Sequence, residues 1–166
     1  MEKNMSTVQT EGFQRTFLKD YVALSFQIAT IQLTVELFEH ETIVTNTMVI
    51  EKLDSENIDV CLNGEELELL WVQKNGERLS ESDYDCTQTH LIIRSISDLR
   101  TTLTIKTRLY PHKNLALEGL YKSGSIYCTQ NEPEGFRRIT YCSFLRGAGS
   151  SFLFIRAWRN PFANLW

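Results

Sequence analysis

The sequence predicts an all-β domain built from antiparallel strands, as a sandwich or an open barrel. Short apolar/polar alternations recur through the first two thirds of the chain, Asn-Gly pairs punctuate them, and no convincing helical stripe occurs between residues 16 and 110. The first alternation is Ile31, Leu33, Val35 and Leu37 against Gln32, Thr34 and Glu36, which places the apolar side chains on one sheet face. Phe26 and Ile28 have the opposite parity, so a bulge is expected near Ala29-Thr30. Thr42 to Ile50 is rich in β-branched residues and reads as the second strand. Ile58, Val60 and Leu62 alternate next, with Asn63-Gly64 as a turn signal. Leu67, Leu69 and Trp71 form a further set, ended by Asn75-Gly76, a hairpin signal because both residues tolerate positive φ. Leu91 to Ile93, and then Leu103, Ile105, Thr107 and Leu109, complete the series.

The texture changes after Pro111. Asn114 to Tyr141 carries Gly119, Gly124 and Gly135 among polar and aromatic residues, and reads as extended segments joined by loops. It changes again after Tyr141. Cys142 to Trp166 contains no Asp, Glu or Lys but has Arg146, Arg156 and Arg159 among Phe and Trp residues. The resulting division is a flexible lead-in at 1–15, a β-domain at 16–141 and an irregular tail at 142–166.

Composition narrows the function classes. The chain has 166 residues, 42% hydrophobic and 23% charged, which suits one globular domain. A formal net charge of -4 argues against an electrostatic nucleic-acid binder. Cys61, Cys86, Cys128 and Cys142 are widely spaced, without the close pairs of a zinc ribbon. Met1 to Gly12 is polar and lacks the basic-then-apolar pattern of a secretory signal, so the thiols are expected to be reduced and the protein cytoplasmic. No apolar run is long enough to span a membrane. A membrane-surface helix in the tail is disfavoured by Gly147, Gly149 and Pro161.

Several catalytic patterns are missing. His40, His90 and His112 form no H-E-x-x-H pair and read as surface or loop residues. There is no G-x-S-x-G elbow. Gly147-Ala148-Gly149-Ser150-Ser151 lacks the lysine of a phosphate loop. Glu65, Glu66 and Glu68 are able to pair as acid and base, but a solvated strand face explains them more simply. The segment Thr129-Gln130-Asn131-Glu132-Pro133-Glu134-Gly135-Phe136-Arg137 is more informative. It brings a neutral amide, two carboxylates and an arginine into one loop. A glutamine carbonyl accepts hydrogen bonds from an ammonium group without adding a full charge. A plain polar surface loop is the simpler alternative on these residues alone.

Leu117-Glu118-Gly119-Leu120-Tyr121-Lys122-Ser123-Gly124, with Cys128-Thr129-Gln130 and Glu134-Gly135-Phe136-Arg137-Arg138-Ile139-Thr140-Tyr141, closely resembles bacterial aminopeptidase N, a family of zinc metallopeptidases. Leu18-Lys19-Asp20-Tyr21 and Leu62-Asn63-Gly64-Glu65-Glu66-Leu67 resemble its opening segments, so the likeness runs from about Leu18 to Tyr141. The resemblance implies a saddle-shaped, sandwich-like antiparallel amino-terminal domain that lends one loop to the active site. In that loop the glutamine of the Thr-Gln pair, here Gln130, helps to hold the substrate's free α-amino group. It also implies that the zinc ligands and general base lie in a following domain. This chain would then carry no catalytic residue, metal ligand or cofactor of its own, and would meet a peptide amino terminus only within a full-length enzyme. A domain without its catalytic neighbour is expected to self-associate or aggregate through the uncovered face, or to cover it in part with the aromatic tail. The alternative is a stand-alone β interaction module. Two departures from the family stand out. Asn131 replaces the usual Cys, and from Cys142 onward nothing looks related, as if the tail were a frameshifted reading of the same gene that ends at an early stop.

Overall fold

The computed structural model describes residues 25–53, 56–131 and 135–143, together with the backbone of 152–159 and the side chain of Arg156. The lead-in at 1–15, the Leu18–Tyr21 motif and the Gly147–Ser151 segment lie outside the described residues.

The predicted β class holds. β1 (Phe26–Leu37), β2 (Thr42–Lys52), β4 (Glu68–Lys74), β5 (Glu77–Arg78), β8 (Arg100–Leu109) and β11 (Phe152–Arg159) form one sheet in the order β11-β1-β2-β8-β4-β5. β3 (Ile58–Asn63), β7 (His90–Ile96) and β6 (Tyr84–Cys86) form a second, in the order β3-β7-β6. β9 (Gly119–Ser123) and β10 (Ile126–Gln130) pair as a separate hairpin. The only helical elements among the described residues are two 3-10 turns, Pro111–Lys113 and Gly135–Arg138. The pairings are antiparallel except β1 with β11.

Side-chain parity follows the alternation. Leu33 and Val35 are buried, the register of β1 on β2 shifts between Ile28 and Thr30, and Phe26 and Ile28 are therefore turned inward as well. The Asn75-Gly76 turn joins β4 to β5 with φ of 52° and 88°. β4 departs from the simple pattern. Its register on β8 shifts between Leu69 and Trp71, so Val72 enters the core at 1% exposure. Trp71 stays half-buried, its ring 6.0 Å from the Arg78 guanidinium. A bulge adds one residue to a period of two and reverses every later side chain.

Two cores result. Met48, Ile50, Leu103 and Ile105 of the first sheet pack against Val60, Leu62, Leu91 and Ile93 of the second, with Tyr141 closing the cluster. The remaining inner face of the first sheet, Leu33, Val35, Val44 and Leu109, is covered by Leu120 from β9 and Ile139 beyond the second 3-10 turn. That second core seats the β9–β10 hairpin on the domain.

The expectation of an irregular tail needs correction for part of its length. Phe152–Arg159 forms β11, which lies parallel to β1 from Thr30↔Phe152 to Leu37↔Arg159. The segment Phe-Leu-Phe-Ile-Arg-Ala-Trp-Arg is dominated by residues that suit a pleated surface. The outer edge of β1 offers backbone N–H and C=O groups that need partners.

Candidate functional site

Three short segments converge around the hairpin. The hairpin turn carries Gly124 at φ 60°, a conformation that favours glycine. At the open end, Gln130 pairs across the hairpin with Gly119. The hairpin is tied to the β1–β2 connection by Tyr127, whose hydroxyl donates to the Phe38 carbonyl at 2.6 Å, and by Lys122, whose ammonium donates to the Glu39 carbonyl at 3.4 Å. The approach to β9 is shaped by Asn114. Its side-chain amide donates to the carbonyls of Glu118 (2.7 Å) and Leu120 (3.1 Å), and its Oδ1 accepts from the Ala116 N–H at 3.1 Å.

Gln130 is exposed at the last position of β10, and no hydrogen bond holds its side-chain amide to another described residue. Its backbone is tightly confined. A Cβ added to Gly135 would overlap the Gln130 carbonyl oxygen and stand 3.0 Å from the Gly119 nitrogen. Gly119 has φ 70°, and a Cβ there would lie 2.7 Å from Arg138 Cβ and 2.8 Å from the Gly135 carbonyl oxygen. Both glycines are therefore demanded by close approach of one chain segment to another. Of the loop read from the sequence, residues 132–134 lie outside the described residues, so Glu132 and Glu134 are not placed.

The remaining charge of that loop is engaged elsewhere. Arg137 Nε donates to Glu65 Oε2 at 2.8 Å, and its Nη2 stands 3.4 Å from Glu118 Oε2. Arg138 donates through Nη2 to Glu65 Oε1 and through Nη1 to Glu66 Oε2 at 2.7 Å. Arg137's hydrogen bond, supported by the Arg138 charge, holds the Glu65 carboxyl below its ordinary range. Glu68 accepts from Arg108 Nη1 at 2.9 Å and from the Tyr110 hydroxyl at 3.1 Å. Glu65, Glu66 and Glu68 are thus neither an acid–base pair nor a merely solvated face, because each is matched to an arginine. Arg138 and Glu118 entered the sequence reading without a role. The signal available was the run Arg137-Arg138 set against Glu65-Glu66, 72 residues away in sequence.

The histidines do not assemble. The rings of His40 and His112 meet edge to face at 6.3 Å, and His90 Nδ1 lies 2.8 Å from Thr89 Oγ1. Among the described residues no group of three or more His, Cys, Asp or Glu is placed to hold a metal ion, so zinc does not fit the residues described. The four cysteines are free thiols, with Cys61 and Cys86 exposed and Cys142 buried. No described helix is long and apolar enough to cross a membrane.

No family model matches the chain. Aminopeptidase N of Escherichia coli (strain K12) is 38% identical over 132 residues, covering 80% of this chain and 15% of the enzyme. Aminopeptidase N of Haemophilus influenzae is 35% identical over 125 residues, covering 75% of this chain and 14% of the enzyme. The chain thus matches about one seventh of the length of these curated relatives. Among solved structures, aminopeptidase A of Legionella pneumophila in complex with aspartic acid matches with a TM-score of 0.68 and 27% identity, over 75% of this chain and 15% of that one. An M1 zinc metallopeptidase from Deinococcus radiodurans shares the fold, with a TM-score of 0.65 at 14% identity over 80% of this chain and 32% of that one. By sequence and by fold, the chain is a relative of bacterial aminopeptidase N that corresponds to an amino-terminal β-domain of the family and not to a whole enzyme.

Proposed function

We propose that this domain presents Gln130 to the free α-amino group of a peptide inside an aminopeptidase N-type active site, and that it hydrolyses nothing without a zinc-bearing catalytic domain. The observation that carries the reading is the placement of Gln130. Its side chain is exposed and hydrogen-bonded to no other described residue, while its backbone is held between Gly119 and Gly135. An amide oxygen in that state is suited to accept from an ammonium group, and its lack of charge leaves the substrate's carbonyl chemistry unperturbed. Zinc in such an enzyme supplies Lewis-acid chemistry from its own domain. The residues of this chain contribute binding and orientation of the amine, which lowers the barrier by fixing the scissile bond relative to the catalytic groups.

The direct test of the second half of this reading is the purified chain, supplied with zinc and an aminoacyl p-nitroanilide. The expected result is no stoichiometric zinc and no p-nitroaniline release. Zinc-dependent release by the pure chain would contradict it.

A further inference from the structure

We infer that Glu65 is the positioning residue of the Gln130 loop, acting through a charged clamp that it forms with Arg137, Arg138 and Glu118. The functional meaning rests on the reading of Gln130 given above, while the clamp itself stands on geometry.

Glu65 is held three ways by the turn Gly135–Arg138. Oε2 accepts from Arg137 Nε at 2.8 Å, Oε1 accepts from Arg138, and the Glu65 backbone N–H donates to the Arg137 carbonyl at 2.9 Å. Glu118, on the segment entering β9, faces the same two guanidinium groups, with Oε2 at 3.4 Å from Arg137 and 3.6 Å from Arg138. Three segments distant in sequence are thus joined at one point: the β3–β4 connection, the entry to β9 and the turn. The Arg138 side chain is only 11% exposed, so its pairs are better shielded than surface ion pairs. Glu66 also meets Arg138, but at 64% exposure its contribution is small.

The clamp reaches Gln130 through backbone contacts. Gly135, the first residue of the clamped turn, lies against the Gln130 carbonyl oxygen, and Gly119 lies against Arg138 Cβ and Gly135. These approaches are too close for a Cβ, so the turn has no room to shift without moving the end of β10. Releasing Glu65 frees the turn, and the freed turn no longer fixes Gln130. The segment is short and half-exposed, hence the part of the molecule whose order depends most on such a tie.

The test uses the full chain and reads amide hydrogen exchange at Gly119 and Cys128–Gln130. Glu65→Gln is expected to accelerate exchange there roughly tenfold, equivalent to losing one charge-assisted hydrogen bond, while amides of β2 and β8 accelerate clearly less. Arg137→Gln should reproduce this pattern, and Glu66→Gln should change it less than about twofold. The distinguishing readout is pH. In the wild type, exchange at the hairpin end, corrected for its intrinsic pH dependence, should rise as Glu65 is protonated. It should be flatter in Glu65→Gln, where Glu66 and Glu118 remain to titrate opposite Arg137 and Arg138. Unchanged exchange in both Glu65→Gln and Arg137→Gln would overturn the inference. So would an equal acceleration across β2 and β8, which would make Glu65 a global stabiliser. None of these outcomes bears on whether Gln130 meets an amine, which is read from catalysis in a complete enzyme.

Discussion

The ring of Tyr141 lies against Gly64, so close that a methyl group at Gly64 would overlap Cδ1 and Cε1 of the ring. Tyr141 is 2% exposed, its carbonyl accepts from the Asn46 side-chain amide at 3.0 Å, and the next residue pairs with Asn63 in both directions, at 2.7 and 3.0 Å. The Leu62–Leu67 and Leu117–Tyr141 motifs are therefore one structural unit. Gly64 has no positive φ to explain it; the space taken by Tyr141 does.

Gly64→Ala should therefore overpack this contact and lower stability by about 1–3 kcal/mol. Urea unfolding would read it as a lower midpoint with an unchanged slope. A variant as stable as the wild type would show that the ring moves aside freely.

Stability should depend on pH through Glu65. Its carboxyl is held low in the folded chain, first by the Arg137 hydrogen bond and then by the Arg138 charge. A depressed carboxyl contributes stability that is fully present above its unfolded value and is lost as pH falls through the folded one. Wild type and Glu65→Gln should thus differ in urea midpoint at pH 7 and converge as the pH drops below the ordinary carboxylate range. A constant difference from pH 7 to pH 3 would mean that the charge plays no part.

The thiols should separate by reactivity. Burial pushes the Cys142 thiol up to about 12, whereas Cys61 and Cys86 are exposed. With an aromatic disulfide reagent at pH 8, Cys86 should react in the native protein. Cys142 should react on the order of a hundredfold more slowly until the chain is unfolded. Equal rates in the native protein would place Cys142 in solvent.

Most of the strand positions are legible because one face of each strand is buried, and burial writes itself into the sequence as a period of two. Thr42–Ile50, Ile58–Leu62 and Leu103–Leu109 fall within β2, β3 and β8, and even the bulge beside Ala29 showed as a parity change. The bulge in β4 was hidden because Leu67, Leu69 and Trp71 alternate without a break, and only pairing with β8 turns Val72 inward. β11 was hidden for another reason. Its partner edge on β1 lies 122 residues away at Thr30↔Phe152, and no local signal announces such a pairing. At the site, the family motif pointed to Gln130, but the ion pairs that hold its loop were not legible. A carboxylate on or beside a strand reads as solvated until the fold brings an arginine to it, as it does for Glu65 and Arg137.

Whether Gln130 meets an amine is read from a chimeric enzyme. Residues 25–141 of this chain would replace the matching segment of Escherichia coli aminopeptidase N, and kcat/KM would be compared with and without Gln130→Ala. Removing a hydrogen bond to a charged group costs about 1.5–3 kcal/mol, so the expected loss is roughly ten- to a hundredfold, with zinc content and thermal unfolding unchanged. Full activity in the Gln130→Ala chimera, or a loss that tracks unfolding of the β-domain, would contradict it.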